Sequence, residues 1–157
     1  MKKIGFIGIG LMGLPMAKNL LKAKYELKAF NRTIKKAEPL KEFGAEISQS
    51  IKEVVSNNDI IITMLTDDTS VDQVMKDESF LDNIKPGSTV IDMSSVKPET
   101  AKFHGENLKS KNINYLDAPV SGGTIGAEEA ILAIMVGGEQ KVFDDNIDVL
   151  KVMGNPT

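Results

Sequence analysis

Lys3-Ile4-Gly5-Phe6-Ile7-Gly8-Ile9-Gly10-Leu11-Met12-Gly13-Leu14-Pro15-Met16-Ala17 is the stretch whose reading decides the fold. Lys3 to Gly8 is rich in Ile and Phe, the pattern of a short buried strand. From Leu11 to Lys22 the period becomes helical: Met12, Met16 and Leu20 share one stripe, Gly13, Ala17 and Leu21 the next, while Lys18, Asn19 and Lys22 face outward. A G-x-G-x-x-G turn between a strand and a helix has a mechanical meaning. Gly8 permits the tight turn, Gly10 lets the backbone approach a pyrophosphate, and Gly13 allows close helix–strand packing. The free N–H groups and the dipole at the helix start favour the anion. Gly8, Ile9, Gly10, Leu11, Met12 and Gly13 are therefore candidate dinucleotide-binding residues.

Downstream, strands and helices alternate. Glu26 to Asn31 reads as a second strand, followed by a helix that Thr33 can cap and Gly44 ends, with Pro39 bending it. A third strand is expected near Ala45 to Ile47, and Ser50-Ile51-Lys52-Glu53 has capping-box spacing for the next helix. Asp59 to Leu65 is a run of Ile, Thr and Met, continuous rather than alternating, as a strand buried on both faces should be. A helix is expected over Asp68 to Lys76, and Pro86-Gly87 turns into a strand over Thr89 to Met93. Pro98 opens a helix to about Lys111, and Ile113 to Asp117 is the next strand. A glycine-rich connection, Ser121 to Gly126, leads to Ile131 to Val136, and a helix spans Glu139 to Val152. The fold class that follows is α/β, a Rossmann-type doubly wound, mainly parallel sheet with helices on both faces.

Composition narrows the field. At 157 residues the chain fits one domain, and 41% apolar with 26% charged residues is ordinary for a globular protein. A net charge of -3 argues against nucleic acid or an anionic membrane as a partner. There is no cysteine, hence no disulfide, thiolate metal site or cysteine nucleophile, and no metal-ligand spacing is present. Met1-Lys2-Lys3 and the apolar run behind it imitate a secretory leader. Gly5, Gly8, Gly10, Gly13 and Pro15 interrupt that run, and no small-residue cleavage site follows. No other segment approaches the ~18 apolar residues of a membrane span, so the sequence reads as cytoplasmic.

The end of the second strand should read the adenosine ribose, and an Asp or Glu there selects NAD. This chain has Asn31-Arg32-Thr33. No carboxylate repels a 2′-phosphate, and Arg32 can pair with it through a charge-assisted hydrogen bond of about 1.5–3 kcal/mol. NADP(H) is therefore expected to be preferred, with NAD(H) possible.

These residues resemble the β-hydroxyacid dehydrogenase family, which includes 3-hydroxyisobutyrate, tartronate-semialdehyde and glyoxylate/succinic-semialdehyde reductases. Gly5-Phe6-Ile7-Gly8-Ile9-Gly10-Leu11-Met12-Gly13 resembles its opening signature. Asn31-Arg32-Thr33 resembles its NADP-type strand ending, Asp92-Met93-Ser94-Ser95-Val96 a cofactor loop, and Asp117-Ala118-Pro119-Val120-Ser121-Gly122-Gly123 its substrate loop. The resemblance implies that Leu65, Thr66 and Ser70 flank the cofactor and that Ser95 approaches the nicotinamide ribose. Ser121, Gly122 and Gly123 would hold a substrate carboxylate with a hydroxyl and backbone N–H groups. Thr66, where many members have Pro, and Ala130-Ile131, in place of a common Gly-Thr, depart from the pattern.

The family's catalytic Lys is expected beyond Thr157, in a helical domain that would also bind substrate and build a homo-oligomer. By this reading residues 1–157 are an NAD(P)-binding Rossmann domain, inactive alone, with an apolar patch near Ile131 to Met135 that invites self-association. No residue substitutes as catalyst. His104, the one histidine, has helical spacing with Ala101, Gly105 and Leu108; Asp92 and Asp117, at strand ends, have no partner visible in the sequence and read as loop braces. Two other classes fit the same residues: a non-catalytic nucleotide-binding module, and the cofactor domain of an imine reductase. Phosphogluconate dehydrogenase fits less well, because no basic cluster near Ser121 awaits a substrate phosphate.

Overall fold

The computed structural model describes residues 1–157. Six parallel strands form the main sheet: β1 (Lys3–Ile7), β2 (Glu26–Phe30), β3 (Glu46–Ile47), β4 (Ile60–Thr63), β5 (Thr89–Asp92) and β6 (Asn114–Asp117), in spatial order 3-2-1-4-5-6. This is the doubly wound order, which reverses direction between β1 and β4 and opens a crevice at their carboxyl ends. β4 is buried at all four positions, which explains its unbroken Ile-Ile-Ile-Thr composition.

Side chains alternate across the sheet into two cores. Ile4, Phe6, Ile60, Ile62 and Ile91 pack with Met16 and Leu20 of α1 (Gly13–Lys22) and with Val149 and Leu150 of α7 (Gln140–Met153). On the other face Ile7, Ile61 and Val90 meet Val54 of α2 (Ile51–Val55), Val71 and Met75 of α3 (Asp68–Met75), Phe80 of α4 (Glu78–Asn83) and Leu108 of α5 (Pro98–Lys109). None of the seven helices is long and apolar enough to cross a membrane.

Two segments depart from the sequence expectation. After Thr33 there is no α-helix; two short 3-10 helices, Ile34–Lys36 and Glu38–Phe43, take its place, and the Thr33 side chain caps neither. Pro39 lies in the first turn of the second, where its missing N–H has no partner to lose; in one continuous α-helix from Thr33 it would break the i→i−4 ladder, and only Leu40 within Glu38–Phe43 is buried. The glycine-rich connection is also more regular than expected: β7 (Val120–Ser121) runs into α6 (Gly123–Glu129). β7 pairs antiparallel with β8 (Leu132–Ile134), and β8 pairs in parallel with β9 (Gly154–Pro156), giving a second sheet of three strands. The cap expected at Ser50 forms, with Glu53 N–H donating to Ser50 Oγ at 3.2 Å, while the Glu53 carboxylate reaches one residue further back than a capping box and accepts from Gln49 N–H at 2.7 Å.

Candidate functional site

The carboxyl end of β1 turns through Gly8, whose φ of 104° lies in the left-handed region. Its N–H donates to Phe30 O at 3.0 Å, tying the turn to the end of β2. A Cβ there would overlap Met64 O, and a Cβ on Gly13 would overlap Gly8 O, so the protein's own backbone excludes side chains at both positions. Gly10 is different: a Cβ on it would meet nothing within 4 Å. The space in front of it is open, and no protein acceptor receives the N–H groups of Gly10, Leu11 and Met12. Leu14 N–H donates to Gly10 O at 3.0 Å, which begins the helical ladder and turns those free donors outward. The turn has the shape and polarity of an anion cradle.

Asn31 stands at the tip of β2 and faces inward to the turn. Its Oδ1 accepts from Ile9 N–H at 2.9 Å, and its Nδ2 donates to Thr33 O at 3.1 Å. The side chain thus clamps the glycine turn to the strand tip. Arg32 and Thr33 beyond it are exposed. A cleft of about 340 Å³ runs from Gly8, Asn31 and Arg32 to Leu65 and to Ser70 on α3, bringing together residues from three separate motifs. Asp77 also lines it, but its carboxylate accepts from Ser79 N–H at 2.7 Å as the cap of α4. Around the turn, Lys36 lines the groove beside Gly10 and Leu11. The sequence reading did not single it out, because nothing in the motif spacing points to the groove on that side of the turn.

At the ends of β4 and β5 a chain of hydrogen bonds joins the remaining loops. Thr63 Oγ1 donates to Asp92 Oδ1 at 2.9 Å, and Ser94 N–H donates to the same oxygen at 3.1 Å. The buried Ser94 Oγ accepts from Leu65 N–H at 2.8 Å. Thr66 and Ser70 approach through their hydroxyls at 3.4 Å, and Ser95 next door is exposed. Ser94, which the sequence did not single out, is thus the pin between the Leu65 and Ser95 loops. Only its burial separates it from its neighbour.

Asp92 and Asp117, for which the sequence shows no partner, prove to be partners of each other. They are register neighbours on β5 and β6, in line with Thr63 on β4. Burial raises the Asp92 pKa above its ordinary value against the hydrogen bonds it accepts. Asp117 is pushed up to about 6, first by burial and then by the Asp92 charge. Asp92 Oδ2, Asp117 Oδ1 and the Tyr115 hydroxyl are buried without a protein partner. Asp92 does brace its loop; no hydrogen bond ties the Asp117 side chain to the segment that follows it. His104 is 1% exposed and donates through Nε2 to Asp72 at 2.7 Å, away from the turn.

Ser121 ends β7, and Gly122 and Gly123 open α6; all three are exposed. Near them Ile125, Ile131 and Met135 present bare apolar surface, at 67%, 56% and 69% exposure.

The chain is similar throughout to one family: the profile described as the NAD binding domain of 6-phosphogluconate dehydrogenase matches residues 3–157. The mitochondrial 3-hydroxyisobutyrate dehydrogenase of Drosophila melanogaster is 37% identical over 153 residues, 98% of this chain and 47% of that protein. The 2-hydroxy-3-oxopropionate reductase of Escherichia coli is 39% identical over 154 residues, 97% of this chain and 52% of the other. A structure of Mycobacterium tuberculosis 3-hydroxyisobutyrate dehydrogenase with L-serine superposes with a TM-score of 0.95 at 32% identity, covering 100% of this chain and 54% of that one. The chain spans about half the length of the curated relatives it matches.

Proposed function

Because this chain belongs to the family of the NAD binding domain of 6-phosphogluconate dehydrogenase, whose relatives are NAD(P)-dependent oxidoreductases, we propose that it holds NADP(H) for hydride exchange with a short hydroxyacid or aldehydo-acid. The observation that carries the reading is the contrast at the turn: Gly8 and Gly13 are filled against backbone, while Gly10 and three free N–H groups face open space. A pyrophosphate fits that cradle, since a helix start supplies donors and a favourable dipole to an anion.

In this reading Gly8, Ile9, Gly10, Leu11, Met12 and Gly13 form the pyrophosphate turn, with Asn31 holding it in shape. Arg32 and Thr33 take the 2′-phosphate, and Lys36 adds positive charge from the groove beside Gly10 and Leu11. Leu65, Thr66 and Ser70 wall the cleft, and Ser95 meets the nicotinamide ribose. Ser121, Gly122 and Gly123 hold the substrate carboxylate, as the resemblance implies. Bound there, the nicotinamide supplies or accepts the hydride. The chain's own contribution is orientation, with near-attack geometry as its main catalytic term. Proton exchange at the substrate oxygen needs an acid–base group, and the family resemblance assigns that role to a Lys outside the motifs matched here. We accordingly assign cofactor binding, and little turnover of its own, to residues 1–157. The bare Ile125, Ile131 and Met135 surface favours self-association of this chain in solution into a homo-oligomer.

Comparison of NADPH and NADH affinities tests the reading. The wild type should bind NADPH at least about tenfold more tightly, and Arg32→Asp should abolish or invert that ratio. Equal wild-type affinities would remove the NADP assignment. Failure of both coenzymes to saturate the protein would remove the cofactor site altogether.

A further inference from the structure

α3 presents three faces, and each does something different. Val71 and Met75 are buried in the core. Ser70, Gln73 and Val74 line the cleft that begins at Gly8 and Arg32. Asp68 and Asp72, four residues apart, reach the other way to Thr100 and His104, also four residues apart on α5.

Asp68 Oδ2 accepts from Thr100 Oγ1 at 2.7 Å and from Lys97 N–H at 3.0 Å. These bonds, the Thr100 hydroxyl first, hold the Asp68 carboxyl below its usual range. Asp72 Oδ1 lies 2.7 Å from His104 Nε2, and since a carboxylate only accepts, that nitrogen carries the proton. The outer rung is buttressed. Lys76 Nζ lies 3.8 Å from Asp72 Oδ2 and 4.9 Å from the centre of the Phe103 ring, and that ring meets His104 edge-on at 5.3 Å. α5 in turn follows directly from the loop that carries Ser94 and Ser95.

We propose that this two-rung ladder, Asp68–Thr100 and Asp72–His104, fixes α3 as the outer wall of the cleft, making His104 and Asp72 positioning residues for the adenosine half of the cofactor. Neither side chain lines the cleft. The inference rests on the reading of that cleft as the adenosine site. It deepens that reading by naming what sets the wall's position, and it gives the single histidine of the chain a role.

The test uses the ¹⁵N-labelled 157-residue chain titrated with two probes, 2′,5′-ADP for the cleft and inorganic pyrophosphate for the Gly10 to Met12 amides. His104→Leu should weaken 2′,5′-ADP about tenfold, the worth of one charge-assisted hydrogen bond, and leave pyrophosphate unchanged. His104→Gln, which returns an N–H near the same place, should recover most of the loss. Unchanged 2′,5′-ADP affinity in folded His104→Leu overturns the proposal, as does equal weakening of both probes, which would mean general loosening. Should His104→Leu not fold, the double variant Asp72→Ala with Thr100→Val, at partly exposed positions, decides by the same two outcomes. A wild type that binds pyrophosphate but not 2′,5′-ADP refutes the adenosine cleft itself, and the ladder's role with it.

Discussion

Two glycine turns open helices in this molecule, and they are built on opposite terms. Gly8 to Gly13 sits between central strands, so its first and last glycines are dictated by backbone packed against them and only Gly10 is left for a ligand. Gly122 to Gly126 sits on the small second sheet beside exposed Ile125 and Ile131. There Gly122 is required by conformation, with φ of 138°; a Cβ would press only on the end of the Leu132 side chain at 3.2 Å and meet the Gly126 and Leu132 backbone at ordinary contact distance, while Gly123 faces open space. The first turn is imposed by packing, joined at Gly8 by a left-handed dihedral angle, and the second by dihedral angles without backbone collision. A glycine spacing alone does not say which, so the two turns should respond differently to the same substitution.

The largest effect belongs to Gly13→Ala. Its methyl must displace the Gly8 carbonyl, and overpacking of this kind costs about 3 kcal/mol, read as a lower urea midpoint. A loss under 1 kcal/mol would mean that the first turn can yield, and the contrast would break. Gly122→Ala should cost about 2 kcal/mol, from dihedral strain rather than collision.

Gly10→Ala should leave the midpoint in place yet weaken NADPH about tenfold, by keeping the phosphates away from the free N–H groups. If stability fell instead, Gly10 would be structural like its neighbours and the cradle interpretation would fail.

The smallest effect sharpens the comparison through pH. Asp117 precedes the second turn, and its pKa of about 6 lies above its ordinary value of 3.8. A carboxyl raised on folding stabilises the fold when protonated, and that contribution is lost as pH climbs through about 6. Asp117→Asn should therefore gain on the wild type between pH 4 and pH 7.5, by about 1 kcal/mol after discounting for solvent screening. Hydrogen exchange should show the accompanying loosening at Ser121 to Gly126 and none at Gly8 to Gly13. Equal loosening at both turns would show that they are not independent.

The parallel sheet was legible in the sequence because each strand signal is local: Ile60-Ile61-Ile62 can be little else, and a G-x-G-x-x-G turn after such a strand defines its own surroundings. What escaped was set at a distance. The Asp92–Asp117 pairing depends on register between strands twenty-five positions apart, which no spacing rule expresses. Ser94 differs from Ser95 only in pointing inward, a matter of how β5 ends. The segment after Thr33 has helical composition but buries too few side chains to sustain an α-helix, since most helical stability comes from a packed face. The ladder from α3 to α5 was hidden for the same reason: its acidic and partner residues stand about thirty positions apart.

The glycine turn also has a schedule. Gly8 is shaped by Phe30 on one side and by Met64 on the other, and Met64 N–H donates to Ile7 O at 2.9 Å. A parallel sheet earns such contacts only after long stretches of chain have been closed. On the ribosome, the nascent turn therefore stays unfinished until the fourth strand has emerged, and chains halted before residue 64 should release nucleotide that longer ones retain.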